Sequence, residues 1–70
     1  MNVGIIGAGN VGEALAGASV RAGHSVILSS DVRSETEAAA RETGARAGEN
    51  LDVVQASELV VLAIPFEAFE

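Results

Sequence analysis

Residues 4–12 read GIIGAGNVG. An apolar run meets three closely spaced glycines, and the first charge after them is Glu13. Gly7, Gly9 and Gly12 have the spacing G-x-G-x-x-G. On its own that pattern is weak evidence in a chain of 70 residues with eight glycines, because a strand-to-helix turn with no ligand would also show it. Its surroundings decide the reading. Asn2 to Ile6 is a short apolar run with β-branched residues, readable as a buried strand. Asn10 to Ala22 is Ala-rich and helix-compatible. A motif that leaves a strand and opens a helix, inside a strand–helix–strand unit of about 30 residues, gives each glycine its own task. Gly7 makes the tight turn, Gly9 lets backbone approach a pyrophosphate, and Gly12 lets the helix pack close to the strand. The free N–H groups of the first helical turn then face the phosphates, and the helix dipole adds partial positive charge. Backbone charge matters here, since no Lys or Arg lies near the motif. Glu13 is expected to point away from the phosphates.

Outward from the motif, Val11, Leu15, Ala18 and Ala22 are spaced for one face of the first helix. Gly17 lies near the Glu13 and Arg21 side and reads as exposed. Gly23 stops the helix. Ser25 to Ser29 (SVILS) is a second strand. Ser34 and Glu37 form an S-x-x-E capping-box pattern that predicts a helix over Glu35 to Thr43, stopped by Gly44. Ala45 to Ala47 reads as a short third strand. Asn50 is placed to cap a helix over Leu51 to Ala56. Leu59 to Ile64 (LVVLAI) is a fourth strand, ended by Pro65. The order is β-α-β-α-β-α-β, and strands without polar alternation indicate a parallel sheet covered on both faces. This is an α/β, Rossmann-type doubly wound sheet, of which only the N-terminal half is spelled out. Residues 1–70 are therefore read as the N-terminal part of a dinucleotide-binding domain, with the remainder of that domain and the substrate region absent.

The totals agree with a packed core, at 49% hydrophobic residues. Phe66 and Phe69 are the only aromatic residues, so Val, Ile, Leu and Ala must build that core. A chain this short buries only about 60% of its unfolded surface, which makes its stability marginal. The absence of cysteine excludes disulfides and Cys-ligated zinc, and His24 is the single histidine, so no metal site is expected. No apolar run approaches the roughly 18 residues of a membrane span. A net charge of −6, with four arginines and no lysine, argues against nucleic-acid binding. The expected location is cytoplasmic.

Nucleotide choice belongs to the end of the second strand, Ser29-Ser30-Asp31-Val32-Arg33-Ser34. An acid about 20 residues after the motif binds the ribose 2′-hydroxyl of NAD, whereas a nearby Arg accommodates the 2′-phosphate of NADP. Asp31 falls 19 residues after Gly12, which favours NAD. The hydroxyls of Ser29 and Ser30 and the guanidinium of Arg33 are equally suited to a phosphate. Both readings stay open at this point, as does a plain solvated loop charge for Arg33. His24 stands at the start of a strand, whereas cofactors sit at the carboxyl ends, so a catalytic role for it is not expected. Glu35, Glu37 and Glu42 read as a solvated helix face, with Glu37 and Arg41 an i,i+4 pair. Ala63-Ile64-Pro65-Phe66 lies at the carboxyl end of the fourth strand, where it is either a wall of the nicotinamide pocket or a simple strand exit.

GIIGAGNVG, the Gly23-His24 entry to the second strand and VVLAIPFEA (residues 60–68) together resemble the NADP oxidoreductases that work with the deazaflavin coenzyme F-420. Their relatives include pyrroline-5-carboxylate reductases and other 6-phosphogluconate-dehydrogenase-like domains. The resemblance covers nearly the whole chain. LAIPFEA is its more specific part, because the glycine motif is common to many dehydrogenases. It implies an NADP-dependent oxidoreductase that transfers hydride between NADP(H) and a deazaflavin. It implies pyrophosphate contacts for Gly7, Gly9, Asn10, Val11 and Gly12. It further implies 2′-phosphate contacts for Ser29, Ser30 and Arg33, and nicotinamide contacts for Ile64, Pro65 and Phe66. Many members carry Ser-Arg where this chain has Ser30-Asp31, which keeps NAD in play beside NADP. A homodimer formed through the missing part is a further expectation.

No residue of the chain stands out as a proton donor, so the catalytic residues are unknown from the sequence. That suits ring-to-ring hydride transfer better than reduction of a small imine or keto substrate, which remains the alternative. A second alternative is a nucleotide-sensing regulatory domain. Asp31 suits such a domain, and Pro65-Phe66, in place of a glycine, does not. A third is an inert fragment whose open sheet edge would invite association.

Overall fold

The computed structural model describes residues 1–63. The elements are β1 (Asn2–Ile6), α1 (Asn10–Arg21), β2 (Ser25–Ser29), α2 (Arg33–Thr43), β3 (Arg46–Ala47), α3 (Asn50–Ala56) and β4 (Leu59–Leu62). The strands form one sheet in the order β3-β2-β1-β4, and every pairing is parallel. This is the α/β architecture expected from the sequence. The predicted end of β4 at Ile64, with Pro65 and Phe66 beyond it, lies outside the described residues. No helix among the described residues is long and apolar enough to cross a membrane.

Side chains alternate across a strand, so β1 presents Val3 and Ile5 to one side and Gly4 to the other. Val3, Ile5, Val26 and Leu28 form the core with Ala16 of α1 and Ala39 of α2. On the opposite face α3 comes close enough to Gly4 that a Cβ there would lie 2.5 Å from Val53 Cγ1 and 2.1 Å from Ser57 Oγ. The result is three layers, with α1 and α2 on one face and α3 on the other, as right-handed crossovers require.

The helix faces differ from the predicted ones. α1 buries Gly12, Ala16 and Gly17, not the predicted stripe of Val11, Leu15, Ala18 and Ala22. Val11 is 65% exposed and Leu15 40%. The helix runs so close to the sheet that only small residues fit beneath it, and the bulkier ones turn outward. Gly17, read as exposed, is buried beneath the Arg21 side chain and beside α2: a Cβ there would lie 3.2 Å from Arg21 Nη1 and 3.9 Å from Thr43 Cγ2. Ser34 and Glu37 do not form a capping box. α2 starts at Arg33 with Val32 as its N-cap and no side-chain cap. The real box is at α3, where the Glu49 side chain accepts from the backbone N–H of Asp52, and Asp52 accepts from that of Glu49. Asn50, expected as the cap, is the first helical residue instead. Glu37 pairs with Arg33 at 3.2 Å, one turn back, in place of Arg41.

Candidate cofactor site

The glycine turn is built as its spacing requires. Gly7 sits at φ 125°, a conformation that side-chain-bearing residues rarely adopt, and its N–H donates to the Ser29 carbonyl at 2.7 Å. This bond ties the turn to the carboxyl end of β2. A Cβ on Gly12 would fall 1.9 Å from the Gly7 carbonyl oxygen, so helix and turn are in direct backbone contact. Gly9 is the opposite case. A Cβ there would meet nothing within 4 Å, because that side faces open space. Gly9 is also the N-cap of α1, and no side chain caps this terminus. The first-turn N–H groups are therefore left for a ligand, with the positive end of the helix dipole behind them.

In front of this terminus lies a cleft of about 520 Å³, at the carboxyl ends of β1, β2 and β4. Gly7, Gly9, Asn10, Val11, Ser30 and Asp31 all line it, bringing together most of the residues the sequence singles out. Gly12 lies behind them as a spacer. Val32, Glu35 and Leu62 also line the cleft, and sequence reading did not assign them to it; Ala63, which the sequence placed at the carboxyl end of the fourth strand as a pocket wall or a strand exit, lines it too. Val32 and Glu35 enter because α2 starts earlier than its apparent capping box. Ala63 is held against the turn by its N–H bond to the Ile6 carbonyl at 2.8 Å.

Two predicted residues are elsewhere. Ser29 is fully buried, and its hydroxyl donates to Asn50 Oδ1 at 2.6 Å, so it joins β2 to α3 and is absent from the cleft lining. Arg33 lines a separate recess of about 50 Å³ beside the cleft, with Ser30 and Asp31 as the shared wall. Its guanidinium donates to Glu37 at 3.2 Å and to Glu49 at 2.5 Å. These bonds, Glu37's first, hold its pKa above the already high ordinary value, so it stays charged. Among the described residues, the charged side chains on the cleft itself are Asp31 and Glu35, both acidic. An anion placed there would meet backbone N–H groups and no cationic side chain of the described lining. His24 lies at the other end of the sheet, with Nδ1 3.3 Å from the N-terminal amine, away from the cleft.

A parallel sheet, a glycine turn with an open Gly9, and an uncapped helix terminus facing a cleft at the carboxyl strand ends define a Rossmann-type dinucleotide-binding segment. Residues 2–70 match the family described as "NADP oxidoreductase coenzyme F420-dependent", and the chain belongs to that family. Among solved structures it is similar to arogenate dehydrogenase from Synechocystis, with TM-score 0.85 and 32% identity over 96% of this chain and 24% of that one. It is also similar to glutamyl-tRNA reductase from Methanopyrus kandleri, with TM-score 0.75 and 27% identity over 91% of this chain and 18% of that one. The chain thus spans about a quarter or less of the length of these structures. No curated protein matches it.

Proposed function

We propose that residues 1–70 are the N-terminal part of the NADP(H)-binding domain of an oxidoreductase that transfers hydride between NADP(H) and a deazaflavin coenzyme. The observation that carries the binding reading is the open Gly9 position at the uncapped terminus of α1, facing a cleft of about 520 Å³. The family description supports the choice of NADP and deazaflavin. When bound, the nicotinamide supplies the hydride, and the protein binds and orients it. In this reading the amides of Asn10, Val11 and Gly12 hold the pyrophosphate, and Gly9 leaves room for it. Ser30 and Arg33 take the 2′-phosphate. Ile64, Pro65 and Phe66 stand beside the nicotinamide half. Ser29 supports this wall from behind, through Asn50, and makes no direct contact.

One observation favours a second reading, with NAD(H) as the nucleotide. Asp31 is on the cleft wall, suited to a ribose 2′-hydroxyl, while Arg33 is engaged by two glutamates. Titrating the full-length protein with NADPH and with NADH, followed by nicotinamide fluorescence, separates the two. The expected result is NADPH bound at least about tenfold tighter, a difference of about 1.4 kcal/mol. Equal or reversed affinities would transfer the assignment to NAD and the leading role to Asp31.

A further inference from the structure

Arg33, the cation that stands beside Ser30 and Asp31 among the described residues, is held by partners from two different elements. Glu37 is one turn further along α2, and Glu49 comes from the junction of β3 and α3. All three side chains are more than half exposed, so the pairs are screened and individually weak. The two glutamates differ in freedom. Glu37 is an ordinary surface side chain. Glu49 is fixed, because its carboxylate also accepts the Asp52 backbone N–H in the capping box of α3. Its loop is fastened to the carboxyl end of β2 by the Gly48 N–H on the Leu28 carbonyl at 2.9 Å and by the Ser29 hydroxyl on Asn50 Oδ1. Glu49 is thus the better anchored of the two partners. Arg33 lines only the recess, and Ser30 and Asp31 stand between it and the main cleft.

We propose that Glu49 sets the nucleotide preference of this site by holding Arg33 in the recess, away from the ribose end of the cleft. The inference rests on the dinucleotide-binding reading above and names what regulates its selectivity. A 2′-phosphate carries about −1.5 to −2 charges at neutral pH and can draw a guanidinium away from single carboxylates. A 2′-hydroxyl offers Arg33 no comparable partner. Releasing Arg33 is thus a cost that NADPH meets and NADH does not. Glu49 acts as a positioning residue, through Arg33. Its removal should sharpen selectivity for the phosphorylated nucleotide and leave the other alone.

The test is a double-mutant cycle on the full-length protein, reading NADPH and NADH dissociation constants for wild type, Glu49→Gln, Arg33→Ala and the double variant. Glutamine keeps a side-chain acceptor for the α3 cap, and circular dichroism checks the fold. Glu49→Gln is expected to tighten NADPH about three- to tenfold with NADH within about twofold, and this gain should vanish in the Arg33→Ala background. Glu37→Gln, which leaves the cap untouched, should act in the same direction but more weakly, and serves if the first variant does not fold. A gain that persists without Arg33 would mean simple repulsion between Glu49 and the phosphate, and would overturn the proposal. So would equal effects on both nucleotides, or none. A wild type that prefers NADH but turns toward NADPH on Glu49→Gln would remove the NADP assignment and uphold the role of Glu49. Binding of neither nucleotide would remove both.

Discussion

The turn between β1 and α1 and the junction between β2 and α2 face the same cleft, but they are built from different material. In the first, backbone does the work. Gly7 supplies a positive φ, Gly12 supplies contact, Gly9 supplies open space, and the helix terminus supplies charge. In the second, side chains do it. Ser30 and Arg33 are arranged by hydrogen bonds and ion pairs, one of them to Glu49, 16 residues along the chain, and Asp31 lines the wall between them. A backbone device is written at fixed spacing within a few residues. A side-chain device depends on whatever the fold brings alongside it.

The largest effect is expected inside the glycine motif. Gly12→Val puts a branched side chain where even a Cβ would lie 1.9 Å from the Gly7 carbonyl oxygen. Neither atom belongs to a flexible side-chain end, so helix and turn must separate. Overpacking of this kind costs about 1–3 kcal/mol and sometimes more, enough to unfold a marginal domain. Thermal denaturation should show a large loss of stability or no folded state. Gly9→Val is the control within the same three glycines. Its backbone, at φ −74° and ψ −169°, is ordinary extended conformation, and its Cβ meets nothing. The circular dichroism spectrum should be unchanged, while dinucleotide affinity falls by at least about tenfold. If Gly9→Val binds as wild type does, the turn is only a turn.

The same division explains what was legible in the sequence. The seven described elements and the parallel sheet follow from apolar runs and glycine stops, and, apart from the end of β4 predicted at Ile64, their ends agree to within two residues. The helix faces do not follow. A spacing rule assigned Val11 and Leu15 to the buried side, whereas the close approach permitted by Gly12 reserves that side for Ala16 and Gly17. The glycine motif itself implied that closeness, so this correction was available from the sequence. The capping error was not. Ser34 with Glu37 and Glu49 with Asp52 each have an acceptor at the first position and an acid three residues on, and only the path of the chain selects the second pair. For the candidate site, the glycine-turn residues that line the cleft were legible, together with Ser30 and Asp31. The placement of Arg33 was not, because Glu49 carries no local mark of being its partner.

Ser29 gives the smallest and most discriminating test of the comparison. By position it belongs with Ser30 as a phosphate contact, and the resemblance assigns it that role. The fold turns it the other way, burying its side chain completely and giving its hydroxyl to Asn50 at the start of α3. A hydroxyl used in this way contributes to stability, not to recognition. Ser29→Ala should cost about 1 kcal/mol, the usual net loss for a hydrogen bond whose remaining partner can still reach water, as exposed Asn50 can. NADPH and NADH affinities should both stay within about twofold of wild type, since the backbone carbonyl that receives the Gly7 N–H is kept. Chemical denaturation and the nucleotide titrations together decide the matter. Selective weakening of NADPH at unchanged stability would return Ser29 to the phosphate site, and would mean that the β2 end rearranges when nucleotide binds.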